Sequence, residues 1–145
     1  MPDYTYIISE EVARVCADIG ISDWSKWTGT TVDDSEAEII RKIVGGEALD
    51  ITLSDFRLGL EVELEHGTMF SDANVSNNHP VLTGRIVLAH LKEGLDYYLR
   101  LKCMELEMEL TSALVSRNAE RAAEKRLDLA EARMELESRI ITSLR

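Results

Sequence analysis

From Pro80 to Arg145 the chain holds no further proline and only two glycines, Gly84 and Gly94. A proline suits the first turn of a helix, where its missing N–H costs nothing. After it, almost nothing interrupts helix formation. Gly94 weakens a helix by about 1 kcal/mol, which predicts a kink or break near residues 94–96. Beyond that point the chain reads helical for about fifty residues. Helices of ordinary globular proteins are far shorter, so this length calls for a packing partner.

The tail supplies a seam for such packing. Ala123, Leu127, Ala130, Met134, Glu137, Ile141 and Leu144 recur at spacings of four and three, flanked by Glu and Arg or Lys. This is a heptad pattern over about three heptads, with one polar position. Upstream, Leu106, Leu110, Ala113 and Leu114 continue an apolar stripe, and the register changes around Arg117-Asn118. Two uses remain open: packing on the chain's own domain, or association with a second chain or a larger assembly.

The N-terminal half carries shorter units. Ser9, Glu10 and Glu11 begin a helix with acids at the positive end of its dipole, and Gly20 stands near its exit. Val12, Val15, Cys16 and Ile19 form its apolar stripe. Trp24 and Trp27 follow in a loop, as core anchors or as an exposed docking pair. Asp33, Asp34 or Ser35 caps a second helix with Ala37, Ile40, Ile43 and Val44, closed by Gly45-Gly46. Residues 67–80, with Asn74, Asn77, Asn78 and a terminal His79-Pro80, read as loop.

Between them lies FRLGLEVELEHG, residues 56–67, whose apolar residues alternate as in a strand. A strand would place Glu61, Glu63 and Glu65 in one column of like charge. Wound as a helix at about 100° per residue, Phe56, Leu60 and Leu64 share one face, and Arg57, Glu61 and Glu65 share a wet one. Glu63 and His66 then fall between the two apolar groups. Thr52 or Ser54 is placed to cap this helix and Gly67 to end it, so helix is the better reading. The same winding of residues 81–104 sets His90 in the middle of an apolar face, with Glu93 at its rim and Tyr97 seven positions on. The placement of Tyr97 requires the helix to continue past Gly94.

Two helices therefore each present an inward histidine and glutamate, Glu63-x-x-His66 and His90-x-x-Glu93. Residues three apart on a helix share a face and can converge. Imidazole and carboxylate suit Fe, Mn or Zn, and the Glu-x-x-His step is the unit of di-iron four-helix bundles. Glu10 and Glu11 look like dipole acids and Glu36 and Glu38 look exposed, so the first two helices offer no matching pair and a full di-iron site is not supported. A smaller metal site from Glu63, His66, His90 and Glu93, with Tyr97 nearby, is one reading. A buried Glu–His hydrogen-bond network that needs no metal is the other.

Composition narrows the rest. The chain of 145 residues is 45% hydrophobic and 30% charged, which fits a folded domain. Its net charge is −11, and residues 1–116, with 9 basic and 21 acidic side chains, carry all of the excess. Such a body repels phosphate backbones, so nucleic acid is not expected as a partner. The N-terminus lacks the basic and apolar regions of a secretion signal, and no segment has the roughly 20 apolar residues that span a bilayer. A membrane is not expected as a partner either. Cys16 and Cys103 form no CxxC pattern, which fits reduced thiols in the cytoplasm. No nucleophile motif or phosphate-binding loop is present in the sequence.

The blocks GLEVELEHG, NVSNNHP, TGRIVLAHLKE and DYYLRL together resemble an uncharacterised domain-of-unknown-function family of bacteria and phages, over roughly residues 50–105. The resemblance implies a small helical domain and no established activity, and it highlights Glu63, Glu65, His66, His90, Glu93, Asp96 and Tyr97. The family pattern has an acidic pair before the loop proline, where this chain has Asn78-His79. It also has a proline before Asp-Tyr-Tyr, where this chain has Leu95. The first departure weakens the expected helix cap.

The expectation is an all-α chain: a small helical bundle over residues 1–105 and a long helical extension over 106–145 suited to coiled-coil packing. The function expected is a non-enzymatic structural or assembly protein, a homo-oligomer or part of a larger protein assembly such as a virion built in the cytoplasm. No cofactor is required by this reading. A metal-binding helical protein, ferritin-like in spirit, is the alternative.

Overall fold

The computed structural model describes residues 6–145. Among these, six α-helices and three short 3₁₀ turns make up the regular structure, with no strand. The helices are α1 (Ser9–Ile19), α2 (Asp34–Val44), α3 (Leu53–Met69), α4 (Pro80–Glu93), α5 (Tyr97–Val115) and α6 (Ala119–Ser143). The chain divides into two compact units, Met1–Glu93 and Gly94–Arg145.

In the first unit, α3 packs on α4 and α2 packs on both. The acids Glu10 and Glu11 occupy the first turn of α1, and Val12 and Cys16 are its buried residues. Gly20, at φ +78°, lets the chain leave α1 in a left-handed step. Its N–H donates to the Ala17 carbonyl, and the Ile21 N–H donates to the Cys16 carbonyl at 3.0 Å. That pairing satisfies the last carbonyls of the helix. Trp24 is fully buried, and Trp27 lies half-buried with its ring edge-on to Trp24 at 5.6 Å between centroids. The pair is thus a core anchor and its neighbour.

The stretch 56–67 is helical, and it buries Phe56, Leu60 and Leu64. Thr52, rather than Ser54, caps it: its hydroxyl accepts from the Asp55 N–H at 3.1 Å. Gly67 does not end the helix, which runs on to Met69, with the Phe70 N–H donating to the His66 carbonyl. Gly67 instead serves a close approach, since a Cβ there would stand 2.7 Å from the Asn74 amide. Pro80 opens α4, as a residue without an N–H should. The cap before it is unusual, because the His79 ring Nδ1 accepts from the Leu82 N–H at 3.3 Å. Burial holds the His79 imidazole below its ordinary range, favouring the neutral form that can accept.

Gly94 marks a break: α4 ends at Glu93 and α5 begins at Tyr97. The run beyond is two helices, not one. Arg117, at φ +56°, turns the chain, with its N–H on the Leu114 carbonyl and the Asn118 N–H on the Ala113 carbonyl. Asn118 then caps α6, its side chain accepting from the Arg121 N–H at 3.0 Å. The 25-residue α6 packs along α5. Cys103 and Leu106 of α5 meet Leu129 and Ala132 of α6, with Leu110 and Leu136 at the margins. Ion pairs Arg133–Glu107 at 2.6 Å, Lys125–Glu109 at 3.1 Å and Lys102–Glu135 at 3.4 Å fasten the flanks.

Candidate functional site

Glu63 on α3 and His90 on α4 meet, as the helical winding requires. His90 Nε2 stands 3.5 Å from Glu63 Oε1, and Nδ1 stands 3.7 Å from Glu93 Oε2. The imidazole therefore has a carboxylate at each nitrogen, and both contacts become ion pairs when the ring is protonated. Glu63 is well covered, His90 is about one-third exposed and Glu93 points largely into solvent. His90 is thus at the flank of its helix's apolar face rather than at its middle. That face is centred on Thr83, Gly84, Val87 and Leu91.

His66 lies three residues beyond Glu63 on α3, in the last turns of the helix. Tyr97 stands at the first position of α5, in the second unit, where its ring packs edge-on against Tyr98 at 5.2 Å. The break at Gly94 means that Tyr97 does not continue the helical winding of α4. Of the five candidate ligands, the contacts seen bring together Glu63, His90 and Glu93. A metal accepts one lone pair from an imidazole, through one nitrogen. Glu63 and Glu93 approach different nitrogens of the same ring. Among the described residues, no group of three or more His, Cys, Asp or Glu side chains is arranged to hold a metal ion. What the arrangement offers chemically is a polar clasp that ties α3 to α4. The residues highlighted by resemblance, Glu65 and Asp96, lie outside it. Glu65 is exposed, and Asp96 precedes α5 with a 2.8 Å pair to Arg100 that lowers its carboxyl below the usual range.

Two carboxylates that the sequence suggested were solvent-facing have structural duties. Glu36 accepts from the Ser22 N–H at 2.6 Å and the Trp24 indole N–H at 3.3 Å. Glu61 accepts from the Val32 N–H at 2.9 Å. Each satisfies a backbone donor of a loop and so joins a loop to a helix. The asparagine loop does similar work. Asn77 and Asn78 adopt positive φ, and their amides donate to the Ile7 and Trp24 carbonyls at 3.1 and 3.4 Å. The legible signal was the cluster of Asn itself, since asparagine tolerates that conformation.

The described residues include no helix long and apolar enough to cross a membrane. The model of one family matches residues 12–107, which begins well before the blocks that suggested a resemblance and ends eight residues before α5 does. No curated protein and no solved structure matches the chain. With about two-thirds of its length matched, the chain belongs to the family described as Protein of unknown function (DUF5661).

Proposed function

We propose that the chain is a non-enzymatic assembly protein, attached to an oligomer or larger protein particle through the outward face of α6. A single observation carries the reading. The heptad seam of the sequence is not the seam that packs on α5; it is the exposed one, with Leu127 61%, Met134 70%, Ile141 48% and Leu144 81% accessible. Long helices rarely leave a periodic apolar stripe to water without a partner. The second support is chemical. The polar cluster seen among the candidate residues joins two helices, a structural duty. A virion or another multiprotein particle suits such a module.

The test compares the wild-type chain with Leu127→Glu/Met134→Glu in extracts of cells that express it natively, by gel filtration. The wild type should elute at twice the chain's mass or more and the variant near the mass of one chain. A wild type eluting at the mass of one chain, in extract and after purification, would overturn the reading.

A further inference from the structure

We infer that the occupant of the α6 seam is a second copy of this chain, with its α6 parallel and in register. This rests on the assembly reading above and names the partner. At about 100° per residue, the residues that α6 buries among its own hairpin (Ala122, Leu129, Ala132, Leu136) and the exposed stripe centred on Leu127, Met134 and Ile141 lie about 155° apart. One helix can therefore serve both contacts at once.

The charges beside the stripe decide the partner. Leu127, Met134 and Ile141, seven residues apart, take the first apolar position of successive heptads, and Ala123, Ala130, Glu137 and Leu144 take the second. Arg126 and Arg133 then line one edge of the stripe, and Glu124 and Glu131 line the other. A parallel copy sets each arginine edge against a glutamate edge, with Arg126 of one chain facing Glu131 of the other, twice by symmetry. An antiparallel copy sets arginine edge against arginine edge. The helix is thus complementary to itself in one orientation. Arg133 is already paired with Glu107 of α5, so Arg126–Glu131 is the principal pair across the interface. Glu137 is the one seam position that opposes association, since it would face its own copy.

The experiment uses the purified full chain. Light scattering over a concentration series should give twice the chain mass, and Leu127→Glu/Met134→Glu should give the chain mass with unchanged helical circular dichroism. Glu137→Leu should tighten the dimer about tenfold or more, because two buried leucines replace two opposed carboxylates. Ala130→Cys, at a position that meets its own copy only in the parallel arrangement, should form a covalent dimer on mild oxidation. The wild type, whose Cys16 and Cys103 are buried, should not. A wild-type dimer in which Ala130→Cys does not cross-link overturns the parallel arrangement. A dimer indifferent to Leu127→Glu/Met134→Glu overturns the seam. A purified wild type at the chain mass that still elutes as a large particle in extract overturns the second copy while leaving the assembly reading standing.

Discussion

At Gly84 α4 lies close against α2, and replacing it tests the packing of the first unit. A Cβ at position 84 would stand 2.8 Å from Ile40 Cγ2, 2.9 Å from Val44 Cγ2 and 3.4 Å from Phe56 Cζ. Carbon atoms in good contact lie about 3.5–4.0 Å apart, so alanine overlaps two methyls by roughly 0.6–1.2 Å. Neither neighbour can readily swing aside, because β-branched side chains in a helix have one strongly preferred rotamer. Ile40 is also fully buried. The α2–α4 contact must open instead, and overpacking of this kind costs about 1–3 kcal/mol. Alanine returns about 1 kcal/mol through better helix propensity. The net expectation for Gly84→Ala is a loss of about 1 kcal/mol, and for Gly84→Val about 2–3 kcal/mol, since valine adds two methyls and forfeits most of the propensity gain. Urea unfolding followed by tryptophan fluorescence reads this unit directly, because Trp24 and Trp27 both belong to it. In a Val44→Ala background the cost of Gly84→Ala should fall by at least about 0.5 kcal/mol, the coupling expected of touching residues. A Gly84→Ala chain as stable as the wild type or more so would refute the close approach.

Arg117→Gly should stabilise the hairpin by about 1 kcal/mol, because Arg117 holds a left-handed conformation that glycine adopts freely; a lowered melting transition by circular dichroism would contradict the turn. Leu129→Ala should cost about 2–4 kcal/mol, the penalty of a cavity between α5 and α6, and a change under about 1 kcal/mol would show that the seam is not packed. The His79 cap predicts an acid limb. Its folded pKa lies below the unfolded value, so its contribution is present above about pH 6.5 and is lost as pH falls through the folded value. Glu11, Arg14 and Arg85 are the charges that act on it. His79→Asn keeps a capping acceptor and removes the titration, so stability between pH 7 and about pH 5 should flatten; an unchanged slope would exclude the cap. His90→Gln should cost under about 1 kcal/mol, since the clasp is partly exposed, and elemental analysis of native protein should find Fe, Mn and Zn far below one per chain. Near-stoichiometric metal, lost in His66→Ala and His90→Ala, would overturn the clasp as a purely polar contact.

The helices were legible because their signals are local. Gly20, Thr52, Pro80 and Gly94 each act within a few residues of their own position, and each stands at or next to a helix end, whereas the end at Asn118 is not read from the sequence. The winding of residues 56–67 also decides strand against helix, since it alone moves Glu63 off the face of Glu61 and Glu65. Misreadings arose where a partner lies far along the chain. Glu61 accepts from a backbone N–H 29 residues away and Glu36 from one 14 residues away. No periodicity on a helix announces that a carboxylate is needed by a loop elsewhere. His90 was placed too centrally for a related reason. The apolar face of α4 is set by Gly84 and Thr83, small residues that let α2 and α3 approach, and hydrophobicity counting gives these little weight.

The tail poses a sharper version of the same problem, because α6 carries two seams of heptad spacing. Ala122, Leu129, Ala132 and Leu136 face α5, and Leu127, Met134 and Ile141 face out. By hydrophobicity the outward seam is the stronger, and the sequence reading chose it. The hairpin uses the other because its buried positions are partly alanines (Ala113, Ala122 and Ala132 are all buried), which allow two helices to lie close after a tight turn. Which seam faces inward is fixed by the rotation that Arg117 and Asn118 impose between α5 and α6, a property of the turn's backbone angles rather than of any side-chain pattern. The bulkier, charge-flanked seam is then left for a surface that the turn does not constrain. On the assembly reading, a helix whose closer-packing face holds its own chain and whose larger apolar face meets water serves two contacts, and Leu127→Glu/Met134→Glu removes the outward one without touching the other.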